Sequence, residues 1–130
     1  MIAAECDVLV AVRGARLGIP ELRLGFPGAG SHIGRLVPRP VALRMLLLGE
    51  QPDAGRLLEL GTLAAVVDTI DQLRAVAHDY ADTIAELDPA AAGPARAILR
   101  RHDDRAALDG YREELAVLRR ILTDDPGGGR

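Results

Sequence analysis

The chain has 130 residues, 48% of them hydrophobic and 27% charged, with a net charge of −3. That is the length of one domain, with the balance of a folded protein able to bury a modest core. It has no dense basic run, and Phe26, Tyr80 and Tyr111 are its only aromatics, so it lacks the electrostatic footprint and the stacking platforms of a nucleic-acid or anionic-membrane binder.

All 16 basic residues are arginine, which excludes lysine chemistry such as a Schiff base. The single cysteine, Cys6, excludes an internal disulfide and a cysteine-rich metal site. Its place in an apolar run predicts a buried filler rather than a reactive thiol. The start of the chain lacks the positive region of a signal peptide and carries Glu5 and Asp7. No apolar run approaches the roughly 20 residues that span a bilayer. The expectation is a cytoplasmic protein with no membrane, nucleic-acid or metal partner.

In chain order, Val8 to Val12 is an apolar, valine-rich run that predicts a strand covered on both faces. A second extended piece is expected from Arg16 to Leu24, leaving the ladder at Pro20, which has no N–H to donate. A short helix is expected within 28–37, opened by glycines and capped by Ser31, with Pro38 ending it. Pro40 suits the first turn of a helix over 41–48, and Gly49 closes it. Pro52-Asp53 starts a third helix that stops at Gly61, and Leu63 to Val67 reads as a short strand.

The remainder reads as helical. Thr69 with Gln72 predicts a capping box ahead of an apolar stripe, Ile70, Leu73, Ala77, Tyr80, Ala81, Ile84 and Leu87. Asp88-Pro89 starts another helix, which Gly93-Pro94 is expected to break or shift. A last helix is expected over 105–122, with Leu108, Leu115, Leu118 and Leu122 facing inward.

Glu21 is the strongest chemical candidate. A carboxylate beside Ile19, Leu22 and Leu24 is expected to be partly desolvated, which raises a carboxyl pKa toward the range useful for proton transfer. On spacing alone, a solvated glutamate at a strand end is the plainer account. His32, after the glycine turn, faces either a pocket or solvent. His102-Asp103-Asp104 reads as a metal cluster or, more simply, as a solvated helix start. Arg100-Arg101 could meet phosphates, although an exposed charged face is the plainer account.

The order Cys6-Asp7-Val8-Leu9-Val10-Ala11, Leu17-Gly18-Ile19-Pro20-Glu21, Leu24-Gly25, then Pro27-Gly28-Ala29-Gly30 resembles the signature of the crotonase (enoyl-CoA hydratase/isomerase) family. Arg35-Leu36-Val37, the Leu46-Leu47-Leu48-Gly49 stop, Glu59-Leu60-Gly61, Val66-Val67-Asp68 and Asp88-Pro89 follow the same family's order, so the likeness covers roughly residues 3–100. It implies an α/β fold: the C-terminal part of a crotonase ββα spiral with short strands over 1–68, a helical region over 69–123, and a disordered tail over 124–130. It implies an enoyl-CoA hydratase or isomerase acting on an acyl-CoA thioester, with Glu21 as the proton shuttle. Pro20, Gly25, Phe26 and Gly28 would be substrate-binding. No separate cofactor is implied, since coenzyme A is part of the substrate. The implied assembly is a homo-oligomer, trimer or hexamer, or a pairing with a crotonase partner chain.

Three departures qualify that resemblance. The family's oxyanion-hole segments precede the matched region, so the expectation is a truncated chain, with little or no activity by itself; losing one such donor typically costs on the order of 10²–10³ in rate. The turn from Leu24-Gly25 to Pro27-Gly28 is one residue shorter than usual, and Ser31 replaces a glycine. The alternative expectation is a non-catalytic crotonase fragment that serves as a partner subunit or is a remnant.

Overall fold

The computed structural model describes residues 2–124, without the side chains of His102 and Asp124. The tail expected from Asp124 onward therefore lies outside the described residues, apart from the Asp124 backbone. A 3₁₀ turn, Ile2–Glu5, leads to strand β1, Val10–Val12. A second 3₁₀ turn, Glu21–Leu24, precedes three helices: α1 (Gly30–Ile33), α2 (Arg39–Leu48) and α3 (Ala54–Glu59). Strand β2 (Ala65–Val67) returns beside β1, and α4 (Ile70–Ala85) and α5 (Pro89–Asp124) complete the chain.

The two strands are parallel, with Val10 opposite Ala65 and Val12 opposite Val67. A parallel pair needs a crossover, and α1 to α3 supply it. The core lies within that crossover: Ile19, Ile33, Val37, Val41, Ala42, Met45, Ala54, Leu57 and Leu63 form one buried cluster, with Met45 and Ala54 at 0% exposure. Helix α4 lies against both strands. The architecture is thus a partial α/β fold, a small parallel sheet followed by helices.

Local chemistry explains most boundaries. Pro40 sits in the first turn of α2, and Gly49 ends it at φ 71°, its N–H donating to the Met45 carbonyl at 3.1 Å. Asp53 caps α3, its side chain accepting the Arg56 N–H at 2.9 Å. At α4 the Thr69 hydroxyl accepts the Gln72 N–H while the Gln72 side chain accepts the Thr69 N–H. The expected box is present.

Other expectations fail for tertiary reasons. The predicted second strand is reduced to one bridge between Arg16 and Asp53, after which Glu21 opens a 3₁₀ turn. Ser31 does not cap α1; Ala29 holds the N-cap place at φ 62°, and the Ser31 N–H goes instead to α5. Val8 lies outside β1 and is 41% exposed, so the run is not covered on both faces. Cys6 is exposed rather than a buried filler, because it follows the 3₁₀ turn at the surface.

The largest correction is α5, a single helix of 36 residues that continues through Pro94. Asp88 caps its start by accepting the Ala90 N–H at 2.9 Å. Pro94 removes one donor, but it and Ala90 are exposed, so water can reach the orphaned carbonyl. Gly93 carries no Cβ to clash with the proline ring. His102, Asp103 and Asp104 therefore sit mid-helix and not at a helix start. Leu108 and Leu122, expected inward, are half or more exposed, whereas Leu115 and Leu118 are partly buried.

Candidate functional site

Glu21 is carried by a turn that several backbone bonds fix. The Pro20 carbonyl accepts the Arg23 N–H at 3.0 Å, the Glu21 carbonyl accepts the Phe26 N–H at 3.0 Å, and the Phe26 carbonyl accepts the Gly28 N–H at 3.0 Å. Gly25 reverses the chain at φ 85°, a conformation that favours glycine. Pro20, Gly25 and Phe26 thus shape the turn, and Phe26 itself is 41% exposed.

Gly28 meets Glu21 directly. A Cβ added at Gly28 would lie 3.2 Å from the Glu21 Cβ and 3.3 Å from its Cγ, so the bare backbone lets the glutamate lie against the turn. Ala29, at φ 62°, is the one described non-glycine residue with a left-handed backbone. Strain of that kind, on the order of 1–3 kcal/mol, clusters where a surrounding structure over-determines the geometry.

A cavity of about 280 Å³ opens on this turn. Glu21, Pro27, Gly28 and Ala29 form one side, His32 stands at the rim of α1, and Tyr111, Glu114, Leu115 and Leu118 of α5 form the other. The Glu21 Oε2 atom is shut off from solvent and has no hydrogen-bond partner among the described residues. That oxygen is neither in bulk water nor paired with a cation among the described residues.

Helix α5 is held over the cavity by polar contacts. The Ser31 N–H donates to Glu114 Oε1 at 2.8 Å. Gly110, one turn earlier, is pressed on Ser31, since a Cβ there would lie 2.7 Å from the Ser31 Cβ. The Tyr111 ring meets the His32 ring edge-on, centroids 6.1 Å apart. Further along, Arg35 bridges Glu5 and Asp104, each at 2.9 Å, and Arg100 donates to Asp7 at 3.0 Å and Glu5 at 3.1 Å. Arg96 donates to Asp7 at 2.7 Å.

The hydrogen bond from Arg96 holds the Asp7 carboxyl below the usual carboxylate range; partial burial opposes this, and Arg100 reinforces it. Arg100 is mostly buried and committed to three carboxylates, neither a free phosphate ligand nor an exposed face. His32 lies at the pocket, its Nδ1 3.1 Å from the Ser31 hydroxyl. Among the described residues no group of three or more His, Cys, Asp or Glu is placed to hold a metal ion. No described helix is long and apolar enough to cross a membrane.

Sequence reasoning found Glu21 and Gly28 but missed Glu114 and Tyr111. The available signal was the spacing of Tyr111, Glu114, Leu115 and Leu118, which puts all four on one helical face.

No family model matches the chain. It is 34% identical over 116 residues to a 2,3-dehydroadipyl-CoA hydratase of Escherichia coli, covering 87% of this chain and 45% of that protein. It is 33% identical over 113 residues to a hexahydro-1H-indene-carboxyl-CoA hydrolase of Mycobacterium tuberculosis, again 87% of this chain and 45% of that protein. Among solved structures, an enoyl-CoA hydratase of Mycobacterium tuberculosis superposes with a TM-score of 0.82 at 27% identity, covering 97% of this chain and 58% of that one. An enoyl-CoA hydratase of Mycobacterium paratuberculosis superposes at 0.80 with 29% identity, covering 95% of this chain and 56% of that one. The chain belongs to the enoyl-CoA hydratase (crotonase) family. It spans about half the length of the relatives it matches.

Proposed function

We propose that this chain carries the proton-transferring part of an acyl-CoA site, with Glu21 moving the proton in hydration or double-bond isomerisation of an enoyl thioester. In hydration, the oxygen of water bonds to the β-carbon and a proton is delivered to the α-carbon, the carboxylate serving as the shuttle. In isomerisation, it takes a proton from one carbon and returns it to another as the double bond moves.

One pairing of observations supports this reading above all: Glu21 lines the cavity, and its Oε2 is buried with no hydrogen-bond partner among the described residues. Leaving a buried acceptor unsatisfied costs about 1–3 kcal/mol, a cost that a bound reactant removes. The backbone around the turn leaves room for that reactant because Gly28 has no side chain.

The charge developing on the thioester oxygen needs hydrogen-bond donors. At the cavity the Gly28 N–H is taken by the Phe26 carbonyl and the Ser31 N–H by Glu114. The reading assigns those donors to another segment or to a partner subunit, of the same kind in a trimer or hexamer or of a related crotonase. A second reading, a non-catalytic subunit docking on a crotonase partner, is favoured by the exposed Ile98 and Leu99 of α5.

The test is turnover of crotonyl-CoA by the assembled protein, comparing wild type with Glu21→Gln. The expected outcome is a loss on the order of 10²–10⁴ in kcat, with an unchanged circular-dichroism spectrum. An unchanged rate overturns the assignment; an assembly inert with wild type favours the docking reading.

A further inference from the structure

We infer that Glu114 is a charge filter in the Glu21 cavity, admitting acyl groups with an uncharged end and turning away those that end in a carboxylate. The inference rests on the reading of this cavity as an acyl-CoA site and deepens it by naming the substrate class.

The placement of Glu114 is built rather than incidental. Its Oε1 accepts the Ser31 N–H at 2.8 Å, in a partly buried contact across 83 residues of sequence. Gly110 lets α5 approach close enough for that bond, because any side chain there would strike Ser31. Gly30 leaves the other side open: a Cβ added there would lie 3.3 Å from the same carboxylate oxygen. Two glycines thus make the space that one carboxylate occupies.

Glu114 and Glu21 share the cavity, and Tyr111, Leu115 and Leu118 make the α5 side of the wall otherwise apolar. No arginine is among the described residues that line it, and the chain has no lysine. The nearby Arg35 faces the adjoining cavity and is committed to Glu5 and Asp104. A carboxylate at the end of an acyl group would enter a space lined by two glutamates, with His32 at its rim and no arginine. An uncharged acyl group of the same length lies against the same leucines and tyrosine without bringing a like charge to the two glutamates. Rejection by unpaired like charge is a usual route to specificity.

The test compares trans-2-hexenoyl-CoA with 2,3-dehydroadipyl-CoA, of equal chain length and differing by the terminal carboxylate. Both kcat/KM and, with the saturated hexanoyl and adipyl thioesters, binding by calorimetry are read on the assembled protein at about pH 8, where an ordinary imidazole is neutral. The uncharged thioester is expected to be preferred roughly tenfold or more. Glu114→Gln keeps an acceptor for the Ser31 N–H and should shrink the preference about three- to tenfold. Leu118→Arg, which adds a cation without touching the Ser31 bond, should shrink it as well. Equal use of the two thioesters, or a preference that neither variant changes, overturns the filter while leaving the Glu21 reading standing. Selective binding without turnover upholds the filter and overturns the Glu21 reading. Binding of neither thioester overturns both.

Discussion

The crossover between the two strands and the helical arm that follows them are held by different forces. In the crossover, Ile33, Met45 and Ala54 are almost wholly buried, and burial of apolar area, which has no direction, does the work. In the arm, Ala107 is the one described residue of α5 that is buried, while Ile98 and Leu99 are 67% and 79% exposed. The arm is located by directional contacts instead: Arg35, Arg96 and Arg100 on Glu5, Asp7 and Asp104, and the Ser31 N–H on Glu114. The cavity over Glu21 needs both. The core sets the glutamate's turn, and the clasp sets the roof.

The comparison is broken most severely from the core side. Met45→Ala should lower the unfolding free energy by about 2–5 kcal/mol, through lost transfer energy plus a cavity. Urea denaturation measures it, and a loss well under 1 kcal/mol would show that the crossover is loosely packed. On the arm side, Gly110→Val forces a side chain into Ser31. Overpacking of this kind costs about 1–3 kcal/mol. Its signature should be faster amide exchange in α1 and residues 104–118, with residues 39–63 still protected. Uniform loss of protection would merge arm and core into one cooperative unit.

The smallest effect is on pH. Because the folded Asp7 carboxyl lies below its ordinary range, it binds protons less readily than in the unfolded chain, whose value is about 3.9. Its contribution is therefore complete above that unfolded value and is lost as pH falls through the lower folded value. The side chain is about half exposed, so solvent screening keeps the effect small. Acid titration of wild type beside Asp7→Asn measures it. Coincident curves would remove Asp7 from the clasp.

What was legible in the sequence is what neighbouring residues settle among themselves. Thr69 and Gln72 are three residues apart, Gly49 ends its own helix, and Pro40 sits in a first turn. Each of those features works within a single turn of chain. Pro94 misled because its local penalty is real, yet exposure and Gly93 make a continuous helix affordable. Cys6 misled because an apolar neighbourhood in sequence is not one in space.

The site divides along the same line. The chain's own order marked Glu21 and the glycine turn beside it, since Pro20, Glu21 and the glycines up to Gly30 follow one another closely in sequence. That Glu114 and Tyr111 stand across from them was decided only when α5 folded back on α1, over 80 residues later. Local steric rules write turns and caps into adjacent letters. A cavity's opposite wall depends on where a distant helix comes to rest, and here ion pairs and one close glycine contact choose that place.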